Sequence, residues 1–276
     1  MTIASVDDVI AGNIGRVPQF VLKSAIPSLT ATAMYSTWSM KGFPGAASYA
    51  TTINGVALSS ASGIVPGQIP YYNAPSGKTA RLSRWLLMVG FGGGSNYLCD
   101  RLWHNQINAT STSAQPITTP TWPARDENGS TAGEGVFIGL EVAAKTGAAA
   151  PTVNLTYTNS AGVSGRTAST ITAVSNAMVQ HTVHFFALQA GDTGVRSIQS
   201  VQLTGSFLSG TVGLFAFRII QSAVAPDSSQ PLDLNVMNSG SPKMYDGSVP
   251  FHIFQTLSNG AMTTRYVGCV MNTLVE

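Results

Sequence analysis

Between residues 80 and 222 apolar and polar positions alternate with a period of two. In Thr152–Thr158, Val153, Leu155 and Tyr157 fall on one side, and Thr152, Asn154, Thr156 and Thr158 on the other. In Thr211–Ile220, Leu214, Ala216, Arg218 and Ile220 alternate against Phe215, Phe217 and Ile219. A two-residue period sends successive side chains to opposite faces, as a half-buried strand requires. Leu82–Gly90, Asn96–Trp103, Val136–Val142, Arg166–Val174, Thr182–Leu188 and Ser197–Phe207 read as further strands. Gly139 inside its run marks a bulge or a close approach. The spacing of Ile198, Val201 and Leu203 slips near Gln199, which predicts a bulge. Turns are expected at Gly92-Gly93-Gly94, 159–165 and 205–210. The one helix signal lies at residues 4–11, with Ser5 as N-cap and Gly12 as stop. Helical crossovers of about 10–15 residues are missing, so a parallel α/β fold is excluded. The fold class expected is all-β, an antiparallel sandwich or jelly-roll-like core at 80–222.

The flanks differ. Residues 1–79 carry the short helix and then an extended stretch with Pro18, Pro27, Pro44, Pro66, Pro70 and Pro75. Residues 223–276 hold Pro226, Pro231, Pro242 and Pro250 before a strand-like segment near 251–256. Both are expected to be long irregular arms. From Gly12 to Lys78 the ionised side chains are Arg16, Lys23, Lys41 and Lys78 alone, beside numerous aromatics. Interface cores share that profile, so Phe20, Tyr35, Trp38, Phe43 and Tyr49 are the candidate inter-subunit contacts. The competing reading is that they cover the chain's own sandwich.

Composition narrows the function classes. Of 276 residues 26 are charged, or 9%, where about 25% is ordinary. The net charge of +2 supplies no basic stripe, so no nucleic-acid partner is expected. No run of about 18 apolar residues is present, so no membrane span is expected. The opening MTIASVDDVI has no basic start and places Asp7-Asp8 where an apolar stretch would sit, so no secretory signal is expected. Cys99 and Cys269 read first as buried free thiols and second as a disulfide.

Motifs that suggest chemistry lack the neighbours their chemistry needs. Ser76-Gly77-Lys78-Thr79 ends like a phosphate loop, but Tyr72 stands where the first Gly belongs. Gly90 to Ser95 lacks the third Gly of a dinucleotide loop and the helix after it. Asp192-Thr193-Gly194 is the triplet of aspartic proteases, whose chemistry takes two carboxylates; a Gly-flanked turn is the simpler reading. His181 and His184 would point to opposite faces of a strand, and Asp126-Glu127-Asn128-Gly129 lacks the Gly an EF-hand needs, leaving a loose Ca²⁺ loop as the residual option. No enzyme, cofactor or metal is expected.

Four blocks, LCDRLWHNQI at 98–107, TWPARDENGSTAGEGVFIGLEV at 121–142, YTNSAGVSGRT at 157–167 and LQAGDTGVRSIQSVQLTGSFLSGTVGLFAFRII at 188–220, resemble a family of tailed-bacteriophage virion structural proteins. Tyr35-Ser36-Thr37-Trp38 and Gly67-Gln68-Ile69-Pro70 fit the same family. The resemblance covers most of the chain. It implies a virion component, capsid-associated, and brings no catalytic residues. Its partners would be the major capsid protein or other virion proteins. The expected role is a homotrimeric head decoration or cement subunit; the alternative is a head- or tail-fibre adhesion module that binds a bacterial surface glycan.

Overall fold

A computed structural model describes residues 4–24, 30, 32–49, 54–90, 93–171, 177–225, 230–257 and 266–276. The N-terminal helix α1, Val6–Asn13, starts where expected: the Ser5 hydroxyl accepts from the Asp8 N–H, and the Asp8 carboxylate accepts from Ser5 in return. The strands in chain order are β1 Gln19–Lys23, β2 Met34–Ser36, β3 Gly42–Phe43, β4 Ala80–Val89, β5 Gly94–Ile107, β6 Gln115–Pro116, β7 Val136–Ala144 and β8 Val153–Asn159. They continue as β9 Arg166–Thr170, β10 Thr182–Ala187, β11 Val195–Leu203, β12 Thr211–Ala225, β13 Leu232–Asn235, β14 Lys243–Met244, β15 Pro250–Gln255 and β16 Val267–Val275, with a single helical turn α2 at Val236–Ser239. The fold is all-β and antiparallel. The expected Gly turn at 92–94 and the end of the 166–174 run fall partly outside the described residues.

Six strands close on themselves in the order β2–β15–β5–β12–β7–β10, because β10 pairs both β7 and β2. Closure removes edges from the ring. Beyond β10 the sheet continues through β9, β8, β11 and β6 and folds back over the ring. A separate sheet, β13–β4–β16–β1–β3 with β14 on β4, covers another side. The barrel is thus the middle layer of three, and each layer boundary is a core.

The alternation of each strand assigns its side chains to these cores. On β12, Phe215 and Phe217 point into the lumen, where Trp38, Phe251 and Ile253 join them. Leu214 and Ala216 point outward, against Leu155, Ile198 and Val201 of the β8–β11 layer. On the other flank Tyr35, Leu98 and Phe254 pack against Val21, Trp85 and Cys269. A strand buried on both faces carries apolar side chains on both, and Leu214–Ile220 is apolar at every position but Arg218. The slip near Gln199 is a register shift between Ile198 and Ser200.

The segments expected to be arms are woven into the layers. β2 and β15 are neighbouring staves of the barrel, and β16 lies between β4 and β1 in the covering sheet. Among the described residues Pro44, Pro66, Pro70, Pro75, Pro231 and Pro242 sit between strands and Pro250 opens β15, where a missing N–H and a fixed φ are tolerated. Lys23 is fully buried: its ammonium donates to the carbonyls of Met40 (3.0 Å) and Pro44 (2.6 Å). Burial pushes its pKa down to about 8. It pins the loop carrying β3 to β1. Both cysteines are free and buried, in different cores.

Candidate interaction surface and enclosed polar clusters

The five aromatics singled out from the sequence separate into two groups. Tyr35 and Trp38 are fully buried within this chain, so they are withdrawn as inter-subunit contacts. Tyr35 belongs to the core beneath the covering sheet, and Trp38 fills the lumen. Tyr49 is withdrawn with them, because its hydroxyl donates to Glu141 Oε2 at 2.8 Å inside the barrel. Phe20 and Phe43 are 46% and 57% exposed and stack on each other with ring centroids 6.5 Å apart.

The lumen holds an ion pair that the sequence did not reveal. Arg101 on β5 and Glu141 on β7 meet at 2.8 Å, both fully buried. The guanidinium lies 4.5 Å from the Trp38 ring and 4.6 Å from the Phe215 ring, with Phe251 at 5.4 Å. Aromatic faces carry negative potential, so they stabilise a cation that water cannot reach. Tyr49 accepts from Arg101 at 3.1 Å and donates to Glu141, bridging the pair. Gly139 makes room: a Cβ there would stand 2.3 Å from Phe215 Cζ. His104 lies near the guanidinium, and burial followed by that charge pushes its pKa down to about 2. His252 is buried too, at about 3, with Nε2 3.1 Å from Asn96 Oδ1. These groups are shielded from solvent and positioned to hold the barrel together.

The remaining acids close on themselves. Asp100 takes Arg125 Nε at 3.0 Å, Ser248 Oγ at 2.9 Å and the Val249 N–H at 2.7 Å, joining three distant segments. Burial alone would raise the pKa of Asp126. The Ser130 hydroxyl and the N–H groups of Ser130, Glu134 and Gly133 outweigh it and lower the pKa. Both Asp126 oxygens therefore organise their own loop. Asp192 accepts from Tyr157 at 2.5 Å, Asn159 at 2.7 Å and Arg166 at 2.9 Å. Arg166 leads in holding its pKa at about 2. A proton-sharing dyad sets a second carboxylate against the first, whereas the groups on the Asp192 oxygens are a phenol, an amide and a guanidinium. Lys78 is exposed, in a turn closed by its own N–H on Pro75. No cluster of three potential metal ligands occurs among the described residues.

Two surface features remain. At one end of the barrel Tyr97, Phe137, Phe185, Phe217 and Ile219 line a cavity of about 370 Å³, with Asp192 at its edge. On the covering sheet the face turned away from the barrel carries two apolar rows beside the exposed Arg84–Asp233 pair. Register places Phe20, Val270 and Leu86 side by side in one row, and Phe43, Leu22, Gly268 and Met88 in the next. The intervening Val21, Cys269 and Leu87 point inward and are buried. Leu22 is 37% exposed and Met88 43%.

No protein-family model matches the chain. No curated protein matches it. Among solved structures, the infectious bursal disease virus VP2 subviral particle is a neighbour at 10% identity, spanning 94% of this chain and 80% of that one at a TM-score of 0.18. So low a score leaves the two chains without a common fold to argue from.

Proposed function

We propose that the chain is a non-enzymatic structural component of a bacteriophage virion, a head decoration or cement protein that docks on neighbouring virion subunits. The observation that carries this reading is the open apolar face of the covering sheet. Exposed apolar surface of that extent marks an interaction site, and the chain's low charge leaves few ions around it. The resemblance of the four sequence blocks to virion structural proteins supplies the setting. The fate of the polar clusters supports a passive role, since Asp126, Asp192, Asp100 and Glu141 are each engaged in holding segments together. The test is mass spectrometry and labelled-antibody imaging of purified particles. The reading requires the protein at stoichiometric, repeated sites on the head; a protein found only in the lysate would overturn it.

The adhesion alternative would use the aromatic cavity at the barrel end. Sugar recognition takes aromatic faces together with free hydrogen-bonding groups. The cavity is mostly apolar, and both oxygens of Asp192 already have partners. A glycan array read with the whole protein decides it: binding that Phe185→Ala removes would favour the adhesin.

A further inference from the structure

The barrel wall parts at one end. β10 stays with β7 through Val183, His184 and Phe185, the last opposite Gly139. From Phe186 it pairs with β9 instead, and the Phe185 carbonyl accepts from the Ile171 N–H at 2.8 Å. β7 meanwhile runs past Gly139 to Val136 along β12. The aromatic cavity lies where the two strands separate. Phe137 on β7, Phe185 on β10, Phe217 and Ile219 on β12 and Tyr97 on β5 surround its volume of about 370 Å³. Ring centroids stand 5.2 Å apart for Phe185 and Phe217, 6.1 Å for Phe137 and Phe217, and 6.4 Å for Tyr97 and Phe185. Phe217, 1% exposed, forms the floor, backed by Phe215 at 5.2 Å and Phe251 at 6.5 Å. Ile171 and Ala187 are exposed at the rim, so solvent reaches the opening.

We propose that this barrel mouth binds a small, neutral aromatic molecule of one or two fused rings. The inference does not depend on the virion reading. Barrel mouths commonly seat small ligands, in sites of roughly 300–1,000 Å³. Size sets the upper limit. An apolar cavity of about 150 Å³ takes one benzene ring, so a volume of about 370 Å³ has room for two fused rings. A long acyl chain would have to pass Phe217 and the rings behind it. The lining sets the chemistry. Three phenylalanines and a tyrosine offer ring faces and edges, and aromatic pairs attract beyond the area they bury. Charge is excluded next. The carboxylate at the edge, Asp192, already holds Tyr157, Asn159 and Arg166. A charged ligand entering these walls would lose hydration without gaining a counter-ion. The rim favours a free molecule over a side chain carried in by another protein. Ser169, exposed and paired opposite Ala187, and the Asp192–Arg166 pair give it a polar edge, whereas the core of a protein contact is depleted of charge.

Equilibrium dialysis of the full chain against naphthalene, read by naphthalene fluorescence, tests the site. One molecule per chain is expected, with a Kd of about 100 μM or tighter for a ligand of this size. Ala187→Trp sets an indole across the opening and should weaken binding at least about tenfold. Ala187 is exposed, so thermal unfolding of that variant should not move. Phe185→Leu keeps an apolar wall but removes a ring, and should weaken binding roughly three- to tenfold. Met237→Trp, at a residue 81% exposed elsewhere, should leave it unchanged. Neither palmitate nor galactose should displace the naphthalene. No binding up to the solubility limit of naphthalene, or binding indifferent to Ala187→Trp, overturns the proposal. Displacement by palmitate overturns it in favour of an acyl-chain site, and displacement by galactose in favour of the adhesin.

Discussion

Replacing Glu141 by Gln leaves the Arg101 guanidinium enclosed by Trp38, Phe215 and Phe251 without its counter-charge. Removing one partner of a buried ion pair costs about 3–5 kcal/mol, because the remaining ion can neither pair nor hydrate. Cation–π attraction from the rings offsets part of this, on the order of 2 kcal/mol, but it is present before and after the change. At about 2–4 °C per kcal/mol for a chain of this size, the midpoint should fall by roughly 6–20 °C. Thermal unfolding followed by tryptophan fluorescence is the assay, since Trp38 stands against the guanidinium. Replacing both ions with apolar residues, Arg101→Met with Glu141→Leu, should recover most of the loss. It leaves the Tyr49 hydroxyl buried alone at about 1–3 kcal/mol, so adding Tyr49→Phe should recover more. If Glu141→Gln costs less than about 1 kcal/mol, or the triple variant is no better than Glu141→Gln, the pair is not what the lumen depends on.

Acid should destabilise the protein well above the carboxylate range. His252 and His104 titrate at about 3 and 2 when folded and near 6.5 when unfolded. Between those values the unfolded chain binds more protons, so stability present above pH 6.5 is lost as pH falls, by about 2 kcal/mol per histidine at pH 5. His252→Gln should flatten the melting temperature between pH 6.5 and 4, and an unchanged slope would count against this account. Gly139→Ala should cost about 1–3 kcal/mol in urea unfolding by forcing Phe215 aside; a neutral result would mean the lumen has slack. Deleting residues 1–45 removes β1, β2 and Trp38 together, so the remainder should fail to fold, as circular dichroism and protease digestion would report; a cooperative, protected fragment would refute the woven topology. Asp192→Asn should cost only the stability of the turn its carboxylate ties to Tyr157, Asn159 and Arg166, and loss of a measured peptidase activity would refute that.

Much of the strand set was legible because its signal is local. Thr152–Thr158 and Thr211–Ile220 alternate over enough residues to declare their faces, Gly139 flagged a close approach, and the Gln199 slip marked its bulge. Barrel closure was not legible. It depends on β2, three residues long, pairing with β15 more than 200 positions away, and no period is measurable in three residues. Trp38 and Tyr49 misled for a related reason: an aromatic in a Pro-rich, uncharged stretch looks the same whether it fills its own barrel or a neighbour's groove. Arg101 and Glu141 sit 40 positions apart, and nothing in either neighbourhood announces the other. Phe20 and Phe43 were legible as residues, but the face they share with Leu22, Val270 and Met88 emerges only from register.

The order of strands in the covering sheet also sets a timetable. β1 at residues 19–23 finds its long partner only in β16 at 267–275. At about 5–20 residues per second of synthesis, roughly 250 residues separate the two, a wait of about 12–50 s. During that interval Phe20 and Leu22 leave the ribosome without the sheet that would present them. The apolar face comes into being when β16 slots between β4 and β1, so the surface that would dock on a neighbouring virion subunit is itself a product of finished folding. Nascent chains are thereby denied the contact, and assembly is reserved for molecules whose last strand is home.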